Sequence, residues 1–268
     1  MNKNQNRLAE SSPTKISSVF RNKKQILIKT LGVLIALALW QIISTCIPNL
    51  LFASPWQTAK SLLSLLGQGS FYATVWFTLC RILLGFFLAF VLGVLFALLA
   101  GRFYMAEQLL WPYMVTVKSV PVASFVAIAF LWLSSANVSV LISFLMALPI
   151  VYTNLLQGIK ATDKKMLQMA DLFKIPFLRR LRYIWLPSVK GYLLSGVSIA
   201  FGLAWKAGIA AELIGYPKGS VGGELYSAKQ FLETADLFAW TVIIVLVSFI
   251  TEKLISLLLK AVIKGVEK

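Results

Sequence analysis

The residues of this 268-residue chain that could do chemistry are mostly cations. It contains 26 Lys and Arg, 10 Asp and Glu and no histidine, which gives a formal net charge of +16. Cys46 and Cys80 both lie in apolar segments, without metal-ligand or disulfide-framework spacing. No G-x-x-x-x-G-K-[ST] stretch is present to bind nucleotide phosphates. We therefore expect no catalytic residue, no metal site and no cofactor, and the chain is not expected to be an enzyme.

The densest group of cations lies in residues 168–187, QMADLFKIPFLRRLRYIWLP. Apolar residues recur there at helical spacing, interrupted by three arginines: Arg179, Arg180 and Arg182. Asp163 is suited to cap a first short helix, and Pro176 suits the first turn of a second. The pattern predicts two short amphipathic helices joined by a bend, before a membrane span that starts at Pro187. Such a pair can lie on anionic lipid or dock a cytoplasmic partner.

The rest of the chain is too apolar for a soluble domain, with 59% hydrophobic residues, 13% charged residues and a mean hydropathy of +0.80. A helix needs about 20 apolar residues to cross a bilayer. Six such runs occur, at about 26–47, 72–100, 109–133, 138–159, 188–211 and 236–260. We expect an all-α polytopic membrane protein with six transmembrane helices. Membrane lipid is thus an expected partner, whereas nucleic acid is not.

The distribution of Lys and Arg predicts the orientation. Residues 1–29 contain seven, residues 160–190 contain eight and residues 253–268 contain four, against three in the alternate loops: Lys60, Lys218 and Lys229. Because cytoplasmic segments are enriched in Lys and Arg, both termini are expected inside the cell. We expect a cytoplasmic tail in 1–25 and a first span with an external segment in 26–70. A transmembrane domain that contains the cytoplasmic loop 160–187 is expected in 71–260, and a second tail in 261–268.

Three cations fall inside predicted spans: Arg81, Lys118 and Lys206. A cation in lipid is costly and usually faces a bundle interior or a watery cavity, and no acid at comparable depth is available to each of them. In the third run, Pro112, Lys118 and Pro121 are expected to break the helix, which lipid tolerates only where protein or water covers the backbone. We therefore predict that Lys118, Pro121 and Lys206 line an aqueous path that favours an anion. The alternative is that these side chains reach an interface or bind free carbonyls.

Residues 168–187 resemble the EAA loop of the permease subunits of binding-protein-dependent ABC importers. That loop reads Glu-Ala-Ala, three residues, Gly and later Leu-Pro, and the corresponding positions here are Gln168, Met169, Ala170, Lys174, Leu186 and Pro187. The replacement of Gly by Lys174 is the largest departure, because a positive φ is costly for lysine. The bend between the two helices is therefore expected to differ.

The resemblance extends from about Ser54 to Leu259. The segments LFASPWQTAKSLL, TLCRILLGF, SVPVAS, ALPIVYTNLLQGI and LAWKAGIAAELIG are similar to successive parts of permeases of the nitrate, sulfonate and taurine importer group, although LWLSSANVS replaces the usual Trp-Phe-Gly. The resemblance implies the type I ABC importer permease fold, with residues 71–260 as its transmembrane domain. It also implies that Arg81 is structural, since an arginine is frequent there.

The resemblance implies a transport subunit in the plasma membrane of a prokaryote. It would form a homodimer with a second permease subunit and bind cytoplasmic ABC ATPase subunits, which hydrolyse the ATP, and an external substrate-binding protein. The solute would be a small anion such as a nitrate- or sulfonate-like compound, or a vitamin precursor. The ATPase-coupling residues would be Gln168, Met169, Ala170, Phe173, Lys174, Phe177, Leu181, Leu186 and Pro187.

Two alternatives keep the membrane fold but change the mechanism. An ion-coupled secondary transporter usually carries acids or histidines deep in the bundle. The relevant acids here are predicted at or near span ends, which argues against it: Glu107, Glu212, Asp236 and Glu252. The second alternative is the energising transmembrane subunit of a vitamin importer, which the pattern from Ala170 to Pro187 disfavours.

Overall fold

A computed structural model describes residues 15–48 and 50–267, and this part of the chain is helical with no strand. The helices are α1 (Lys15–Cys46), α2 (Pro55–Leu66), α3 (Gly69–Arg102), α4 (Tyr104–Ser119), α5 (Val122–Ala129), α6 (Ser135–Lys160), α7 (Lys164–Leu172), α8 (Phe177–Arg180), α9 (Leu186–Gly215), α10 (Val221–Gln230) and α11 (Thr234–Glu267). The predicted tail 1–25 is described only from Lys15, where α1 begins, and residues 1–14 lie outside the described part. The predicted tail 261–268 continues α11 as far as Glu267.

Five helices in the described residues are long and apolar enough to cross a membrane, and α4 with α5 makes a sixth candidate that is bent by 99°. This agrees with the six predicted runs and with an interruption in the third. Pro112 lies inside α4 without ending it, so the prediction that it breaks the span is wrong. The break comes at Val120, whose extended backbone is the conformation favoured before a proline such as Pro121.

The core of the bundle is formed by α3, α6 and α9, with α6 packed along both of the others. More than half of the apolar window of α6 is buried, 56%, against 6% for α1 and 11% for α11. Small residues allow the close helix contacts that lipid-embedded bundles depend on. At Gly85 in α3, an added Cβ would lie 2.3 Å from the carbonyl oxygen of Val140 in α6. The contact is therefore one of backbone against backbone.

Helices α2 and α10 pack against α11, with α2 bonded to its first turn. The first turn of helix α2 is capped reciprocally by Ser54 and Gln57. Ser61 of α2 donates a hydrogen bond to the carboxylate of Asp236 in α11. Helix α10, which follows α9 after a short connection, packs on both α9 and α11.

Substitution of Gly85 by alanine should destabilise the bundle by about 1–3 kcal/mol, because the methyl group has no room beside Val140. The matched control is Gly32→Ala in α1, where nothing lies within 4 Å of the added Cβ. Alanine is the better helix former, so this control should be neutral or stabilising by about 0.5–1 kcal/mol. Thermal unfolding of the purified variants in one detergent measures the difference, and equal midpoints for the two would contradict the close packing.

Candidate functional site

The first part of the loop 160–187 is a short helix that begins as the sequence predicts. The Asp163 carboxylate caps α7 by accepting a hydrogen bond from the amide of Lys165 at 2.8 Å. Ala170 is completely buried and turns this face of α7 towards the rest of the protein. Gln168 and Met169 beside it remain exposed. Helix α7 is thus anchored through its smallest residue, with its larger side chains outward.

The chain bends after α7 at Lys174, whose φ is +50°. This left-handed conformation suits glycine and costs other residues roughly 1–2 kcal/mol. Lys174 therefore adopts the backbone geometry for which a glycine is best suited, despite its side chain. The lysine therefore makes the bend energetically more costly than a glycine would. It does not change the left-handed backbone conformation of the bend.

Arg180 stabilises this bend through hydrogen bonds and an ion pair. Its Nε donates to the carbonyl of Ile175 at 2.7 Å, one Nη donates to the carbonyl of Ala170 at 3.0 Å, and the other forms an ion pair with Asp171. The Ala170 carbonyl, near the end of α7, also accepts from the amide of Ile175 at 2.9 Å, so Arg180 adds a second donor there and one to the carbonyl of Ile175 beyond the helix. The predicted outward basic face is therefore wrong for Arg180, while Arg179 is exposed.

The second predicted short helix is not separate from the following span. Helix α8 continues through a π-helical turn, Leu181–Trp185, into α9, and together they form one 39-residue helix, Phe177–Gly215. Pro187 has no amide hydrogen and its ring crowds the preceding turn, and a wider turn at this point accommodates it. The hydroxyl of Ser188 also donates to the carbonyl of Ile184 at 2.8 Å. Movement of α8 is thus transmitted directly to α9.

Four large apolar side chains at the bend are exposed, and we call them the apolar tip: Leu172 (79%), Phe173 (71%), Phe177 (70%) and Leu178 (76%). The apolar residues of the predicted second helix do not share one environment. Ile184 is buried, Leu181 is partly exposed at 41%, and Phe177 belongs to the tip. Next to the tip is a depression of about 240 Å³. Its lining residues are Phe173, Lys174, Ile175, Pro176, Arg179, Tyr183 and Ile184. Of the remaining predicted loop residues, Leu186 is half-buried and Pro187 is exposed.

The candidate path residues lie in different surroundings. Lys118 is in the last turn of α4, where its Nζ donates to the hydroxyl of Thr153 in α6 at 3.3 Å, and Pro121 caps α5 beyond the break. Lys206 is exposed on α9 between the buried Trp205 and Ala207. Within the described ranges it makes no hydrogen bond or ion pair. Lys206 therefore lacks, among the described residues, even the polar contact that Lys118 makes with Thr153.

Sequence reasoning missed the surroundings of the third cation, Arg81. Its guanidinium carbon lies 3.6 Å from the centre of the Phe77 ring, and it interacts electrostatically with Glu212. Glu212 is near the end of α9 as predicted, but it is completely buried. The expectation that no acid at comparable depth is available is thus wrong for Arg81. Both residues were visible in the sequence, but helix packing alone brings them together.

These features define a polytopic helical membrane protein with a broken span, an exposed cation on a bundle helix and an apolar tip in the loop 160–187. Residues 89–268 match the family described as binding-protein-dependent transport system inner membrane component. The chain belongs to this family, and it is a permease subunit of such a transport system. The predicted family, all-α fold and transport function are confirmed, and the ion-coupled alternative is set aside.

Named relatives match most of the chain at modest identity. The putative aliphatic sulfonates transport permease protein SsuC of Bacillus subtilis is 27% identical, over 86% of this chain and 84% of its own length. The taurine transport system permease protein TauC of Escherichia coli is 28% identical, over 84% of each. The bicarbonate transport system permease protein CmpB of Synechococcus elongatus is 23% identical, over 90% of each. These matches confirm the similarity to the nitrate, sulfonate and taurine group.

Replacement of Arg180 by lysine should loosen the bend, because lysine keeps the charge but cannot bond all three acceptors at once. Loss of hydrogen bonds worth about 1–3 kcal/mol should make local opening about tenfold more frequent. Limited chymotrypsin digestion measures this as faster cleavage after Phe173 in the folded protein. The exposed Arg179→Lys serves as control and should be cleaved at the wild-type rate. Equal cleavage of the two variants would show that Arg180 does not hold the bend.

Proposed function

We propose that this chain is the transmembrane subunit of an ATP-driven importer for a small anion in a prokaryotic plasma membrane. Two copies would form the translocation path, with both termini in the cytoplasm. Cytoplasmic ABC ATPase subunits would bind the loop 160–187, and an external binding protein would deliver the solute. The chain itself would hydrolyse no ATP.

The apolar tip is the observation that carries the ATPase-docking part of this proposal. Burial of one large apolar side chain contributes about 1.5–3 kcal/mol, so four exposed ones amount to a strong potential contact. The bend is fastened by Arg180, and α8 runs without interruption into α9. A partner that moves the tip would therefore move a membrane helix rather than a flexible loop. Transport subunits coupled to ATP hydrolysis need such a rigid connection between two states.

Binding of the loop to lipid is the competing interpretation. It would use the three arginines as contacts for lipid phosphates. Arg180 is instead engaged with Asp171 and two backbone carbonyls, and only Arg179 of the three is fully exposed. This arrangement favours a protein partner over an anionic lipid surface.

An anionic solute is supported by Lys206 and by the relatives. The relatives are named as permeases for sulfonates, taurine and bicarbonate, which all carry an anionic group. Lys206 is an exposed cation within a candidate span, and no described residue neutralises it. In a water-filled path it would attract an anion and repel a cation. A vitamin precursor with an anionic group remains within this class.

A second copy of the chain is supported by the surfaces that one copy leaves uncovered. The apolar windows of α1 and α11 are 6% and 11% buried, against 56% for α6 and α9. Lipid covers part of this surface, but the exposure of Lys206 calls for an aqueous or polar neighbour. A homodimer with Lys206 of both copies facing a central path would provide one.

Substitution of Phe173 or Phe177 by alanine should uncouple ATP hydrolysis from uptake. Each change removes apolar area worth about 1.5–3 kcal/mol of binding and should weaken ATPase association by roughly ten- to a hundredfold. Co-purification of the ATPase and uptake into proteoliposomes are the measurements. The control is Phe249→Ala, an exposed phenylalanine on α11, which should behave like the wild type.

Two results would favour the lipid interpretation instead. One is normal ATPase binding and uptake in both tip variants. The other is that neutralisation of Arg179 reduces association with anionic vesicles while uptake is unchanged. The first result would contradict ATPase docking at the tip, and the two results together would show that the loop binds lipid instead.

Substitution of Lys206 by glutamine should slow anion uptake about fivefold, since one unit charge at contact distance in water is worth about 1 kcal/mol. Lys206→Arg, which keeps the charge, should retain most of the activity. Lys260→Gln, at an exposed position near the end of α11, controls for the change in net charge. Assembly and basal ATPase activity should be unaffected in all three. Wild-type uptake by Lys206→Gln, or a cationic solute, would contradict the proposal.

A further inference from the structure

The external helix α10 is capped at its first turn mainly by residues from other helices. The amide of Val221 donates to the hydroxyl of Thr78 in α3 at 3.0 Å, and the amide of Gly222 donates to the carboxylate of Glu212 in α9 at 3.3 Å. Only the next amide, that of Gly223, is bound by the helix's own cap, Ser220. The first amides of a helix have no intrahelical acceptor, so α10 relies on α3 and α9 to satisfy them.

The Glu212 carboxylate joins these three helices at one point. The hydroxyl of Thr78 donates to its Oε2 at 2.8 Å, which is the same oxygen that accepts from Gly222. Thr78 and Glu212 are both completely buried. A buried carboxylate is costly unless donors and positive charge surround it. Here both donors reach Oε2, Oε1 has no hydrogen-bond partner among the described residues, and the nearby Arg81 supplies positive charge.

The contact between α10 and α9 leaves no room at this point. A Cβ added at Gly222 would lie 2.3 Å from the Cβ of Glu212 and 2.7 Å from the amide nitrogen of Leu213. Helix α10 therefore rests directly on the backbone of α9. Its apolar residues Val221 and Leu225 are also buried. The polar bonds and the close packing occur at the same turn, so separation of α10 from α9 would break both together.

We propose that Glu212 is a positioning residue for transport, whose carboxylate fastens α10 to α3 and α9 so that the three move as one unit. The transport path opens and closes by relative movement of helices, and an external helix that moved independently would not follow the bundle. The inference rests on the two-state cycle of the proposed function, but not on the solute or on the residues of the apolar tip.

Hydrogen exchange in the assembled transporter, reconstituted in lipid nanodiscs, tests this role. In the wild type, α10 should exchange slowly and equally in the nucleotide-free and nucleotide-trapped states. Glu212→Ala and Thr78→Val should each speed exchange in α10 about tenfold, with α6 unchanged. Uptake per ATP hydrolysed should fall by about tenfold in the same variants. Thr78→Ser, which keeps the hydroxyl, should behave like the wild type.

The control is Glu224→Gln, the half-buried acid of α10 whose carboxylate makes no hydrogen bond within the described residues. It should leave exchange and coupling unchanged. Should Glu212→Ala fail to assemble, the two Thr78 variants decide. Unchanged exchange of α10 in Thr78→Val would overturn the proposal. So would an equal rise in α6 and α10, which indicates general destabilisation, or a difference in α10 between the two wild-type states.

Failure of the proposed function would give a different experimental result from failure of the role proposed for Glu212. A wild-type transporter without ATP-driven uptake would contradict the proposed importer. The exchange rates of α10 and α6 need no solute and would still decide whether Glu212 fastens the external helix.

Discussion

A charge within an apolar bundle is costly unless another group stabilises it, and this constraint organises the protein. Glu107 pairs with Lys160 at 2.5 Å, Asp236 with Ser61, Glu252 with Ser198, and Glu212 with Thr78 and the start of α10. Each contact joins two different helices. These four acids thus connect helices of the bundle. Neither Lys118 nor Lys206 is paired with an acid among the described residues, and Lys206 also lacks the hydroxyl contact that Lys118 makes with Thr153. The charge available to a solute is a cation.

The two ends of α9 link the opposite faces of the membrane subunit. At its first end it continues through the π-helical turn into α8 and the apolar tip, and near its other end Glu212 binds the start of α10. Between them it packs along α6 in the core. One continuous helix therefore connects the apolar tip with the opposite end of the bundle. Packed helices of this kind switch between discrete arrangements rather than deform gradually, which suits a two-state cycle.

The sequence predicted features that depend on local chemistry. Six apolar runs follow from composition, and Asp163 is recognisable as a helix cap because its side chain bonds an amide two residues away. Features that depend on packing were not predictable. Whether Pro112 ends a helix, or whether Arg180 faces inward, depends on neighbours that sequence spacing does not specify. The continuity of α8 with α9 was missed because a proline normally marks a helix start, whereas a π-helical turn accommodates Pro187 here.

The central claim is that movement of solute through this subunit is driven by ATP hydrolysis in a partner. The most direct measurement is uptake of labelled taurine, an alkanesulfonate and bicarbonate into proteoliposomes. Liposomes would contain either this chain alone under a proton or sodium gradient, or the chain with its ATPase subunits and binding protein. Uptake of an anionic solute is expected only in the complete system, with ATP enclosed inside the liposomes and the solute added outside. Gradient-driven uptake by the chain alone, without ATP, would contradict it.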